Sequence, residues 1–161
     1  EFRRVLFRSR RELALSMGAT EIFDGRAQPG ALAHATAVSG GSGVVVFENT
    51  GAPGMLARLV LEAPAKSRLV VSGIAPGEES FHQMVAVLKE LRFSFVIYYT
   101  PEEFAAALAA IAGERFDWRP LVTGWVGLEG VEAAFSALAS AEQHAKVMID
   151  PQQPGGLRTA R

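Results

Sequence analysis

The sequence contains no cysteine, and this absence excludes several kinds of chemistry at once. Within the 161 residues there is no disulfide, no cysteine nucleophile and no thiolate metal site. A chain without cysteine fits a cytoplasmic setting, which we therefore expect. Long hydrophobic runs are also missing, so no segment is predicted to span a membrane.

An excess of charge of either sign is missing too. The 16 Lys and Arg residues nearly balance the 17 Asp and Glu residues, for a net charge of −1. Such a balance gives no electrostatic reason to bind nucleic acid or an anionic membrane, and we expect neither as a partner. With 49% hydrophobic and 20% charged residues, the chain has a globular composition and is long enough for one domain with a core.

The sequence also lacks recognisable catalytic motifs. The three histidines are scattered without metal-ligand spacing, and no serine stands in a G-x-S-x-G motif. The glycine-rich stretch 39–43 lacks the Lys-Ser/Thr pair of a phosphate-binding loop. The residues by themselves therefore predict no active site.

What the sequence does contain is an apolar run, Val44–Phe47, that leads into a polar turn and then into Pro53. A run without alternation predicts a strand buried on both faces, as in the centre of a parallel sheet. Pro53 is placed to open a helix, and strand ends that lead into helices are where open α/β sheets bind ligands. The alternative interpretation is a plain buried strand with a tight turn.

Strands and short helices alternate along much of the chain. Strands are predicted at residues 19–23, 44–47, 67–74, 93–99, 121–127 and 145–149. This order predicts an α/β fold with a parallel sheet and flanking helices. Three strand ends, at residues 48–51, 72–74 and 96–98, are then expected on one edge, where they would form one wall of a ligand crevice.

The two ends of the sequence differ from the rest. Glu1–Ser9 mixes arginine with aromatic residues and matches the conceptual translation of a common sequencing-adapter oligonucleotide. We expect residues 1–9 to be a non-native, adapter-derived segment, with a basic N-terminal arm as the alternative. Residues 152–161 are polar and rich in Gly and Pro, which predicts a disordered tail.

Five segments in order carry a resemblance to a known family: Arg11–Thr20, Val45–Pro53, Val70–Ile74, Tyr99–Phe104 and Pro120–Thr123. Together they resemble the C-terminal half of a zinc-dependent medium-chain alcohol dehydrogenase, of the polyol, butanediol and threonine dehydrogenase type.

The resemblance implies two domains, each present in part. Residues 10–112 would be the C-terminal part of an NAD(P)-binding Rossmann domain, and residues 113–151 a C-terminal segment of the catalytic domain. The zinc ligands would lie upstream of Arg10. The acidic residue that chooses between NAD and NADP would fall near Val5, so the sequence leaves that choice open.

The function implied by the resemblance is oxidation of a secondary alcohol or polyol by hydride transfer to NAD or NADP, with zinc as a second cofactor. The intact parent would act on a small-molecule alcohol and form a homo-oligomer through residues 93–98. We expect the 161-residue chain alone to be inactive. The alternatives are a zinc-free quinone or enoyl reductase of the same superfamily and a non-catalytic α/β binding or assembly module.

The resemblance also implies cofactor-binding residues, and it assigns no catalytic residue or metal ligand to this chain. Ser72, Gly73 and Ile74 would pass beside the nicotinamide, and Ile97 and Tyr98 would lie near its carboxamide.

The remaining implied contacts lie further from the reacting ring. Arg10 would lie near the adenosine ribose, and Asn49 and Thr50 would line the adenine and ribose side. Lys146 would lie near the pyrophosphate, with a solvated lysine as the alternative. Phe95 departs from the family pattern, where a small residue is expected.

Overall fold

The computed structural model describes residues 10–23, 30–38, 43–139 and 144–160. In these ranges the helices are α1 (residues 10–16), α2 (Ala31–Val38), α3 (Met55–Glu62), α4 (Gln83–Leu88), α5 (Pro101–Ala112) and α6 (Val131–Ala139). The strands are β1 (Val45–Glu48), β2 (Arg68–Val71), β3 (Arg92–Phe95), β4 (Gly124–Val126), β5 (Val147–Ile149) and β6 (Arg158–Thr159).

The chain divides into two compact units. One spans Gly25–Thr100, and the other is formed by the segments before and after it. The domain boundary predicted between residues 112 and 113 stays a prediction, as does the interpretation of residues 1–9, which lie outside the described residues.

The first unit contains a parallel sheet in the order β1-β2-β3. One row of the register joins Val46, Leu69 and Phe93, and these residues belong to or pack against the core formed by Leu59 of α3 and Ala63. Helix α3 contributes because its apolar residues recur at helical spacing and so share one face. The predicted α/β class with a parallel sheet is confirmed.

The expectation that β1 is buried on both faces was wrong. Val45 is 50% exposed and Phe47 is 64% exposed, whereas Val46 and Glu48 face the packed side. Among the described residues β1 pairs only with β2, so β2 is the central strand. The apolar run has no polar alternation, and therefore it could not show that one face is open.

The second unit contains a smaller sheet in the order β5-β4-β6, with β5 parallel and β6 antiparallel to β4. The tail predicted to be disordered therefore holds a strand. Trp125 lies opposite Arg158, and the N–H of Ala160 donates to the carbonyl of Thr123 at 3.0 Å. Composition did not reveal this pairing because the partner is a distant strand edge. The strand predicted at residues 19–23 is not found there.

Within the described residues, no helix is both long and apolar enough to cross a membrane.

Candidate functional site

A pocket of about 360 Å³ lies at the carboxyl ends of the three strands of the parallel sheet. Its walls come from the end of β1 and its turn, the first turn of α3, the segment after β2 and the end of β3. Several of its lining side chains are apolar, among them Met55, Leu56 and Val71. The crevice predicted from the strand ends is therefore present in the structure.

Two glycines set the shape of this pocket. Gly51 has a φ of 60°, and a Cβ there would lie 2.4 Å from the carbonyl oxygen of Ile74. A Cβ on Gly73 would lie 2.2 Å from the Gly51 nitrogen. Both distances are too short for any side chain, so the turn after β1 and the segment after β2 touch backbone to backbone.

Glu48, the last residue of β1, is the buried acid of the pocket, with 5% of its surface exposed. Its Oε1 accepts hydrogen bonds from the Thr50 N–H at 2.7 Å, the Gly51 N–H at 3.1 Å and the Thr50 hydroxyl. Burial acts to raise the pKa of Glu48, but these hydrogen bonds outweigh it and hold the pKa below its ordinary value of 4.5. The carboxylate is therefore ionised at neutral pH.

A second carboxylate, Glu79, lines the pocket from the loop after β2. Its Oε1 and Oε2 accept from the N–H of Gly54 at 2.8 and 3.1 Å. Gly54 is the N-cap of α3 with a φ of 77°, a conformation that suits glycine. The Glu79 side chain thus caps α3 in place of the missing N-cap side chain.

Four of the nine predicted cofactor-binding residues come together in the pocket: Ser72, Gly73, Ile74 and Ile97 line it. Tyr98 follows directly and is 89% exposed.

Asn49 and Thr50 lie in the turn that forms a pocket wall, but they do not line the pocket. The side chain of Asn49 accepts a hydrogen bond from Ser72 Oγ, and Thr50 bonds Glu48. Asn49 therefore links the ends of β1 and β2, whereas Thr50 holds the turn after β1 to the last residue of that strand.

Arg10 and Lys146 belong to the other compact unit. Arg10 Nη2 donates to the carbonyl of His144 at 3.1 Å. The exposed Lys146 donates its N–H to Thr123 Oγ1 at 3.3 Å. Their roles toward a cofactor stay predictions.

Sequence reasoning placed Glu48 in the strand end at residues 48–51 but gave its side chain no role, and it missed Glu79. Glu48 had a recognisable signal, because an acid that ends an apolar strand and precedes Thr-Gly can bond the N–H groups of the turn. No local signal in the sequence marked Glu79, since its partner Gly54 lies 25 residues away.

The zinc implied by the resemblance has no place in the described part of the chain. No group of three His, Cys, Asp or Glu side chains in those ranges is arranged to hold a metal ion. We therefore assign no chemical step to zinc in these residues.

The fold and the pocket define the class of protein first. A parallel sheet with helices and a crevice at the carboxyl ends of its strands is the arrangement of nucleotide-binding α/β domains. A model of the zinc-binding dehydrogenase family matches residues 5–113, which begin inside the segment interpreted as adapter-derived. This match covers more than half of the chain, and the chain belongs to the zinc-binding dehydrogenase family.

Solved structures agree with this membership. The 2R,3R-butanediol dehydrogenase from Bacillus subtilis is 26% identical with a TM-score of 0.76, over 89% of this chain and 41% of that one. Alcohol dehydrogenase TADH from Thermus sp. ATN1 shares the fold at 20% identity and a TM-score of 0.76, over 95% of this chain and 41% of that one. A comparison with curated proteins gave no match.

A third structure carries a cofactor. It is a short chain alcohol dehydrogenase from Escherichia coli CFT073 in complex with NADH, at 20% identity and a TM-score of 0.74, over 86% of this chain and 40% of that one. The chain thus spans about two fifths of the length of these three relatives.

Proposed function

We propose that the intact parent of this chain is an NAD(P)- and zinc-dependent dehydrogenase that oxidises a secondary alcohol or polyol by hydride transfer. The observation that carries the proposal is the pocket at the carboxyl ends of β1, β2 and β3, where Gly51 and Gly73 meet. Support comes from the family match and from a butanediol dehydrogenase of similar fold. The NADH complex of another relative supports a nicotinamide cofactor.

In this proposal the pocket holds the nicotinamide end of the cofactor. The bound cofactor supplies the acceptor of the hydride. Gly73 allows close backbone approach, and Ile74 and Ile97 exclude water from the ring through their apolar surface. Ser72 supplies a hydroxyl at the rim, and Tyr98 extends the wall toward the carboxamide.

The resemblance also supplies the remaining contacts of the proposal, residue by residue. Asn49 and Thr50 serve the adenine and ribose side, Arg10 the adenosine ribose and Lys146 the pyrophosphate. A cation beside a pyrophosphate gains from Coulomb attraction. The cofactor is NAD or NADP.

Other properties of the parent belong to the same proposal. Its zinc ligands lie outside this chain, its substrate is a small alcohol, and it is a cytoplasmic homo-oligomer. We expect the chain by itself not to turn over substrate, since it spans about two fifths of the length of its relatives.

NMR titration of the ¹⁵N-labelled chain with NADH tests the site. We expect the amide signals of Gly51, Ser72, Gly73, Ile74 and Ile97 to shift, because these residues line the pocket. The exposed Gly156 in the other unit, which has no proposed contact, is the internal control. Binding that leaves the pocket amides unmoved contradicts the proposed site.

Sequencing the DNA upstream of the Arg10 codon and expressing the longer protein tests the reaction. We expect reduction of NAD or NADP with a secondary alcohol or polyol, and loss of that activity with a chelator. Activity that resists the chelator would favour a zinc-free reductase. Absence of cofactor binding would favour a non-catalytic module.

A further inference from the structure

Glu48 stands apart from the other acids of the described chain because its side chain is buried in the pocket wall. Among those residues no Lys or Arg pairs with it. A buried carboxylate without a counter-ion is costly unless hydrogen bonds satisfy it. The hydrogen bonds that Glu48 accepts therefore indicate its role in the pocket wall.

Within the described residues, every hydrogen bond to the Glu48 carboxylate comes from the turn that follows its own strand. Oε1 accepts from both the N–H and the hydroxyl of Thr50 and from the N–H of Gly51, while Oε2 accepts the Gly51 N–H at 3.3 Å. Such charge-assisted bonds are stronger than those between neutral groups. They fold residues 48–51 into one closed turn.

The same residue also fixes the neighbouring strand end. The main-chain oxygen of Glu48 accepts from the N–H groups of Ser72 and Gly73, each at 2.9 Å. A Cβ on Gly73 would lie 2.3 Å from Glu48 Oε2, so the carboxylate occupies the space that a side chain would need. Glu48 thus lies between the two backbones that form the wall.

We propose that Glu48 is a positioning residue for the ligand of this pocket. Its carboxylate holds the Thr50–Gly51 turn against Gly73, and this contact sets the wall on which the ligand lies. The inference rests on the proposed function, in which that ligand is the nicotinamide end of NAD(H). The residue does not act as an acid or base, because its oxygens are engaged by the turn and its pKa is held low.

Two pairs of variants test this role in the full chain. Glu48→Gln keeps the shape and removes the charge, and the exposed Glu78→Gln is its matched control. Gly73→Ala places a methyl group against both the Gly51 nitrogen and Glu48 Oε2, and Gly77→Ala, where a Cβ would meet nothing within 4 Å, is its control. Circular dichroism first establishes that each variant is folded.

The measurements are the dissociation constant of NADH, the fluorescence emission of bound NADH and the amide signal of Gly73. We expect Glu48→Gln to weaken NADH binding by about tenfold, the equivalent of one charge-assisted hydrogen bond. Gly73→Ala should weaken it at least as much, because its methyl group forces the Gly51 turn and the carboxylate away from the wall. The emission of NADH at saturation should move toward that of the free cofactor, which a lower stability alone would not cause. Both controls should stay within about twofold of the wild type, since neither alters the wall.

Failure of this inference and failure of the proposed function give different results. If the wild type binds NADH and both test variants bind it within twofold of their controls, Glu48 has no positioning role. If the wild type does not bind NADH, the proposed function fails, and the Gly73 amide decides the inference alone. A shift of that signal in Glu48→Gln but not in Glu78→Gln supports positioning, and an unmoved signal overturns it.

If Glu48→Gln does not fold, Gly73→Ala is compared with Thr50→Val, which removes only the hydroxyl donor to the carboxylate. Weaker NADH binding in both, with a shifted Gly73 amide signal in Thr50→Val, supports the inference, because the Thr50 hydroxyl reaches Gly73 through the Glu48 carboxylate. Unchanged binding in both overturns it.

Discussion

At the scale of single residues, the pocket depends on a charge that is kept away from water. Glu48 stays ionised because three donors from Thr50 and Gly51 replace the water that it loses. This arrangement links the stability of the fold to pH, because the native pKa lies below the ordinary value of 4.5.

The sign of this linkage follows from the lowered pKa. The stability that the carboxylate contributes is fully present above pH 4.5, the ordinary pKa, and is lost as the pH falls through the lower native pKa. We expect Glu48→Gln to reduce the free energy of unfolding by about 1–3 kcal/mol at pH 7, because a buried donor loses its anionic partner.

Urea unfolding of the wild type and of Glu48→Gln at several values between pH 7 and pH 3 measures this difference. The difference in the free energy of unfolding between the two proteins should shrink as the pH falls toward 3. The exposed Glu78→Gln should show a difference that is small at every pH. A gap between wild type and Glu48→Gln that widens on acidification would show that the native pKa is raised instead.

At the scale of elements, the end of α3 is held by a residue from beyond α4. Lys89 Nζ donates to the carbonyls of Val60, Leu61 and Ala63 at 3.1, 2.7 and 2.9 Å. The last carbonyls of a helix lack partners within the helix and carry its negative dipole end, so a cation there is stabilising.

Lys89→Met tests the contribution of this cap. We expect the free energy of unfolding to fall by about 1 kcal/mol, since the aliphatic stem is retained and only the donor is lost. Amide hydrogen exchange in the last turn of α3 should become faster. Arg68→Met on β2, which removes an exposed cation, is the control and should change neither quantity.

At the scale of the whole molecule, large apolar side chains remain exposed after β3. Ile97, Tyr98 and Tyr99 all lie on this segment. Among the described residues β3 pairs only with β2, so its outer edge is open. Open strand edges beside apolar surface favour association with another chain.

Tyr98→Lys should therefore move the chain toward a monomer in sedimentation velocity, compared with the wild type at equal concentration. A charge at an 89% exposed position costs the fold little but opposes apolar association. Tyr98→Phe keeps the apolar surface and should behave as the wild type. Identical profiles for Tyr98→Lys and the wild type would show that residue 98 takes no part in self-association.

The sequence by itself determined the elements and the class of fold. Five of the six predicted strands are found in the structure, with short helices between them as expected, although several strands are shorter than predicted. These predictions work because periodicity, Gly and Pro act locally along the chain. The alignment of three strand ends, and with it the pocket lined by Ser72, Gly73, Ile74 and Ile97, followed from the rule for parallel sheets.

Only the tertiary structure decided which groups meet across the sheet. In the structure one face of β1 is exposed, and residues 158–159 of the tail form β6. The Glu48 carboxylate lies between Gly51 and Gly73. The tertiary structure also brought Glu79 to Gly54 and Lys89 to the end of α3. These contacts join residues about 25 or more positions apart, except within the Glu48 turn. Local sequence patterns do not predict contacts between residues so far apart in the chain, because packing and strand register determine these contacts.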